Sequence, residues 1–88
     1  MEFIEVVCSR AVREKLADKH AVEESEVHEA LFGHTHAARG RGGLYEVLGR
    51  TDAGRYLFVV VRYLGGGRVL VVTARDMTAQ ERRRYGRQ

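Results

Sequence analysis

The second half of this 88-residue chain sets arginines at intervals along an otherwise apolar sequence: Arg39, Arg41, Arg50, Arg55, Arg62, Arg68, Arg75 and then Arg82 to Arg84. A guanidinium is a planar fork of five N–H donors, suited to bidentate contact with phosphate, and thirteen of the fifteen basic residues are Arg. Up to residue 38 there are four Lys/Arg against eight Asp/Glu; from residue 39 there are eleven Arg against four. A charge split of this kind marks the second half as a surface for nucleic acid or for an acidic partner. Codon bias in a GC-rich genome explains part of the arginine excess, but not its concentration in one half.

The chemistry such a surface suits is RNA cleavage without a metal. That reaction needs an aligned and deprotonated 2′-hydroxyl, stabilisation of the extra charge on a pentavalent phosphate, and a proton for the leaving 5′-oxygen. Arg62 is the first candidate for phosphate, being the only charge in the run Tyr56–Tyr63; a strand-end arginine paired with Asp76 or Glu46, or simply reaching solvent, is the competing reading. Arg75, just before a helix start, either points into the same cleft or forms a salt bridge fixing helix to sheet. Arg50 lies at a strand end, where a merely solvated arginine is also expected. Tyr85 is a general acid, a stacking platform or an anchor for a terminal helix. His20 is an acid–base candidate or a helix-C-terminal imidazole favoured by the dipole.

Other features carry less. His34-x-His36, with His28 and Cys8 elsewhere, does not supply the three or four convergent ligands that zinc requires, so neither metal nor cofactor is expected. Cys8 ends an apolar run and reads as a buried, inert thiol. Arg82-Arg83-Arg84 point to different sides of a helix and read as solvated or steering charge, or as a surface that an acidic partner covers. Gly65–Gly67 lack the lysine and helix of a phosphate loop.

The elements that must position these residues follow from pattern. Phe3–Val7 reads as a strand. Ser9 caps a helix with Val12, Leu16 and His20 on one face, and a second helix runs from Val22 to Phe32, closed by Gly33. His34–Gly43 reads as a mobile basic loop. Three strands then form a meander, Leu44–Arg50, Arg55–Tyr63 and Arg68–Ala74, turning at Asp52–Gly54 and Gly65–Gly67, with the second strand central. Thr78-x-x-Glu81 is a capping box that opens a short surface helix. The order β-α-α-β-β-β-α predicts an α+β fold: an antiparallel meander with two helices packed on one face and a short C-terminal helix.

Length allows one domain, residues 1–88, with 44% apolar and 31% charged residues, as in an ordinary globular protein. No stretch approaches the ~20 apolar residues of a membrane helix. A single cysteine and no secretion signal predict a cytoplasmic protein.

Leu48-Gly49-Arg50-Thr51, Gly54-Arg55, a Val-rich strand, Thr73-Ala74-Arg75, Thr78-x-x-Glu81-Arg82 and Tyr85, preceded by Lys19-His20-x-Val22, resemble in order and spacing the BrnT family. The resemblance covers roughly residues 10–86. Ala21 stands where that family usually has glycine. BrnT proteins are ribonuclease toxins of type II toxin–antitoxin pairs within the RelE/ParE fold group. The resemblance therefore implies a RelE-like fold and endoribonuclease activity. It also implies a cognate antitoxin, a small DNA-binding protein encoded next door, with a homodimer or toxin–antitoxin hetero-oligomer as the assembly. On this reading Arg62 and Arg75 hold phosphate, Tyr85 and His20 join them in the site, and Arg39, Arg41, Arg50, Arg55 and Arg82 contact RNA. The alternative is a catalytically inactive module of the same fold that binds nucleic acid or an acidic protein.

Overall fold

The computed structural model describes residues 3–87. Its elements are β1 (Glu5–Val7), α1 (Arg10–His20), α2 (Glu24–Phe32), β2 (His36–Arg39), β3 (Leu44–Arg50), β4 (Tyr56–Gly65), β5 (Arg68–Asp76) and α3 (Ala79–Gly86), with a 3-10 turn at Arg41–Gly43. The α+β class and the order of the expected elements agree with the sequence reading. One strand is added: β2 lies in the segment read as a loop. Its short alternation, with half-buried Ala37 against the core and Ala38 exposed, pairs antiparallel with β3 and becomes an edge strand.

The five strands form one sheet in the order β1-β5-β4-β3-β2. The pairs β2–β3, β3–β4 and β4–β5 are antiparallel, and β1 joins β5 in parallel. The Val-rich β4 is central, as its apolar character on both faces requires. Gly65, Gly66 and Gly67 all take positive φ (95°, 63° and 80°), which lets the chain reverse into β5 without side-chain clash.

Alternation along the strands divides the core in two. Val47, Leu57, Val59, Val61, Val69 and Val71 point to the face covered by α1 and α2, where Leu16, Val27, Ala30 and Leu31 meet them. Leu48 and Phe58, the other parity, join Met77 on the opposite face beneath Tyr85 of α3. Helix α2 comes very close to β3 at Gly49, where a Cβ would sit 2.4 Å from the Ala30 carbonyl oxygen. Cys8 is half-buried rather than fully buried, and burial pushes its thiol up.

The caps follow the sequence. The Ser9 hydroxyl accepts from the Val12 N–H, and Thr78 and Glu81 form the reciprocal box at 3.1 and 2.9 Å. Between α1 and α2 the chain turns at Ala21, the only non-glycine of positive φ among the described residues (φ 51°, ψ 39°). A left-handed cap is ordinarily a glycine position, which gives a physical reason for the glycine usual in the resembling family.

Candidate nucleic-acid interface

The helix-free part of the sheet and the inner side of α3 share one face, and the strand register lays its side chains out in rows. Arg50 pairs with Tyr56 in one row; His36, Leu48, Phe58 and Arg75 form the next. Ala38, Glu46, Val60 and Thr73 follow, and then Leu44, Arg62 and Leu70. Helix α3 stands over the first two rows. Between it and the sheet lies a groove of about 500 Å³ lined by Arg50, Tyr56, Ala79, Arg82, Arg83, Tyr85 and Gly86.

Tyr56 organises this groove. The Arg82 guanidinium lies 4.4 Å from its ring centroid and that of Arg50 5.4 Å away, both exposed to solvent and neither paired with a carboxylate among the described residues. Cation–π contact holds each guanidinium while leaving its N–H donors directed outward. The Tyr85 ring meets Tyr56 edge-on at 6.0 Å, and its hydroxyl donates to the His34 carbonyl oxygen at 2.8 Å. Burial pushes the Tyr85 phenol up, with nearby Arg50 opposing, so it keeps its proton at neutral pH. Two unneutralised guanidiniums beside aromatic rings in an open groove are suited to an anion with a flat aromatic neighbour, as in a nucleotide.

The residues singled out from sequence are distributed unequally around this groove. Arg50, Arg82 and Tyr85 are in it. Arg75 is on the same face but engaged: it makes a bidentate pair with Glu81 at 2.8 and 3.0 Å, donates to the Asp76 carbonyl, and stacks 4.0 Å from the Phe58 ring centroid. The salt-bridge reading of Arg75 is the one realised. Arg62 is exposed and without a partner among the described residues, but it lies four residues along β4 from Phe58, which is about 13 Å at ~3.3 Å per residue. Arg62 and Arg75 therefore share a face but stand well apart along it.

Arg55 is committed to contacts within the protein. Its Nε and Nη2 donate to the two Asp76 oxygens, Nη1 to the Ala21 carbonyl and Glu26, and Nη2 also to the His20 carbonyl. All five donors are satisfied inside the protein, leaving none for RNA. Arg55 thereby caps the end of α1, grips the start of α2 and pins both to β5. His20 sits beside this clamp on the α1–α2 side of the sheet, away from α3. Arg39 stacks at 5.9 Å on Tyr45, which packs with the α1–α2 core, and Arg41 lies in the exposed turn that follows.

One groove residue, Tyr56, and one residue beside the groove, His34, are not apparent from the sequence. Tyr56 read only as the start of an apolar strand, and its role depends on register with Arg50. His34 was weighed only as a metal ligand. It precedes β2 by two residues, and its ring lies 5.8 Å from that of Tyr85, which lines the groove. Among the described residues no three His, Cys, Asp or Glu side chains converge as a metal site requires, and no helix is long and apolar enough to cross a membrane.

No protein-family model matches the chain, and no curated protein matches it significantly. Among solved structures it is similar to the ribonuclease toxin BrnT of Brucella abortus, with a TM-score of 0.71 and 12% sequence identity over 85% of this chain and 97% of that one. At that identity the likeness establishes a common fold, down to the five-stranded sheet and three helices.

Proposed function

We propose that this chain is the toxin of a type II toxin–antitoxin pair, a metal-independent endoribonuclease that binds RNA in the groove between α3 and the sheet. The observation that carries this reading is the pair of unneutralised guanidiniums, Arg50 and Arg82, set 5.4 and 4.4 Å from the ring centroid of Tyr56. The fold shared with a ribonuclease toxin supports it. In the reaction the 2′-oxygen attacks the adjacent phosphorus and the bond to the 5′-oxygen breaks. Arg50 and Arg82 stabilise the charge gathered on the non-bridging oxygens, and their cation–π seating means little reorganisation during the step. Arg62, further along the open face, contacts a phosphate beyond the one that reacts. A small antitoxin encoded nearby is the partner, and the cytoplasm, where RNA is met, is the place of action.

The test is cleavage of RNA by the purified chain in EDTA, beside an Arg50→Ala/Arg82→Ala variant. Cleavage by the native chain that disappears in the variant supports the groove. Intact RNA with both proteins, while filter binding still detects native complex, moves the reading to an inactive nucleic-acid-binding module.

A further inference from the structure

We infer that His34 is the general base of this site, an inference that rests on the endoribonuclease reading above. Three observations locate the imidazole. His34 lies two residues before the first paired residue of β2, His36, which stands opposite Leu48, itself two residues before Arg50 on β3. A Cβ on the preceding Gly33 would lie 3.8 Å from the Arg50 carbonyl oxygen, so the two segments run side by side. The Tyr85 hydroxyl then fixes the His34 backbone from above, at 2.8 Å, and the two rings lie 5.8 Å apart.

His34 is exposed and has no carboxylate partner among the described residues, so its ring nitrogens remain available to a bound nucleotide. The charged and titratable groups that face it are Tyr85 from α3 and Arg50 from β3, with Arg82 beyond Tyr56 and His36 next on the same face of β2. None of these is a carboxylate, and of the other histidines His20 lies on the far side of the sheet and His28 packs on Phe32 in α2. The edge of the groove thus brings phosphate-binding donors beside two imidazoles, and of these His34 is the exposed one, next to the Tyr85 ring.

In the proposed step an unprotonated ring nitrogen of His34 takes the 2′-hydroxyl proton as the 2′-oxygen bonds to phosphorus. The bond from phosphorus to the 5′-oxygen breaks, and that oxygen takes a proton from water in the open groove. The products are a 2′,3′-cyclic phosphate and a 5′-hydroxyl end, and the imidazolium returns its proton to the hydroxide so formed.

The experiment compares the native full-length chain with His34→Ala on a mixed-sequence oligoribonucleotide and on nucleoside 3′-(4-nitrophenyl phosphates), whose leaving group departs without a proton. For the native chain kcat rises with pH to a plateau, the limb following the base as it loses its proton. His34→Ala lowers kcat roughly 100-fold or more on both substrates, flattens that limb, leaves KM near its native value, and recovers with added imidazole. Its urea midpoint matches the native one, since the side chain is exposed and the Tyr85 bond uses only backbone. Native-like kcat and limb in the variant overturn the role of His34 while the endoribonuclease reading stands. A defect on the oligonucleotide but not on the nitrophenyl substrates overturns it in favour of an acid. Absence of cleavage by the native chain overturns both.

Discussion

Arg75 and Glu81 meet through two parallel hydrogen bonds, 2.8 and 3.0 Å, across the joint between the last strand and the last helix. The same Glu81 carboxylate accepts the Thr78 N–H at 2.9 Å, so one side chain both caps α3 and ties it to the sheet. Replacing Glu81 by Gln removes the charge while keeping the shape. Arg75 is partly exposed and solvent screens the pair, so the expected loss is about 1 kcal/mol, read as a lower urea midpoint.

Acid acts on two carboxylates at once. Hydrogen bonds from Arg75 hold Glu81 below the ordinary range, and those from Arg55 do the same for Asp76. In each case the unfolded chain binds the proton more readily, so the stabilisation is complete above the unfolded value of about 4 and drains away as pH falls through the lower folded one. The urea midpoint therefore drops below about pH 4, and Glu81→Gln/Asp76→Asn, lower at neutral pH, has a flatter acid limb.

Arg55 is a structural residue. Arg55→Ala strips the hydrogen-bonding partner from Asp76, Glu26 and two α1-terminal carbonyls, and is expected to cost about 2–4 kcal/mol by chemical denaturation. Arg55→Lys recovers little of this, since an ammonium cannot reproduce the planar fork. Arg50→Ala and Arg82→Ala behave oppositely: stability stays within about 0.5 kcal/mol, while the slope of RNA affinity against salt falls by roughly one for each guanidinium taken away from a phosphate.

Gly49 is held by proximity rather than by its dihedral angles. Gly49→Ala drives a methyl toward the Ala30 carbonyl oxygen and pushes α2 off β3, with an expected loss of about 1–3 kcal/mol in thermal or urea unfolding.

Ala21 points the other way. A left-handed L-residue carries strain of roughly 1–2 kcal/mol, and glycine's extra freedom in the unfolded chain returns part of any gain. Ala21→Gly is therefore expected to raise stability by about 0.5–1 kcal/mol, with RNA binding unchanged. A lower unfolding midpoint would show that the Ala21 methyl contributes more than its strain costs.

Local signals made most of the fold legible. The Thr78–Glu81 box, the Ser9 cap, the triple glycine and the apolar β4 each act over a few residues, and each is realised. The strand β2 was missed because its stability comes from a ladder with β3 rather than from large apolar side chains of its own. Site residues were harder to read, since an arginine's role is decided by what lies opposite. Arg55 meets carbonyls some 34 residues away in sequence, and Arg75 meets the cap of the helix after it. Arg50 and Arg82, chemically identical to these, instead meet the face of a tyrosine.

The order of synthesis gives α3 a further meaning. It leaves the ribosome after every other described element, and with it come Arg82 and the phenol that anchors His34. A nascent chain that has made its sheet already displays Arg50 and Tyr56, yet the groove stays unroofed. For a protein that acts on RNA in the manner proposed, the translating ribosome and its own message are thus exposed to a competent site only once α3 has emerged.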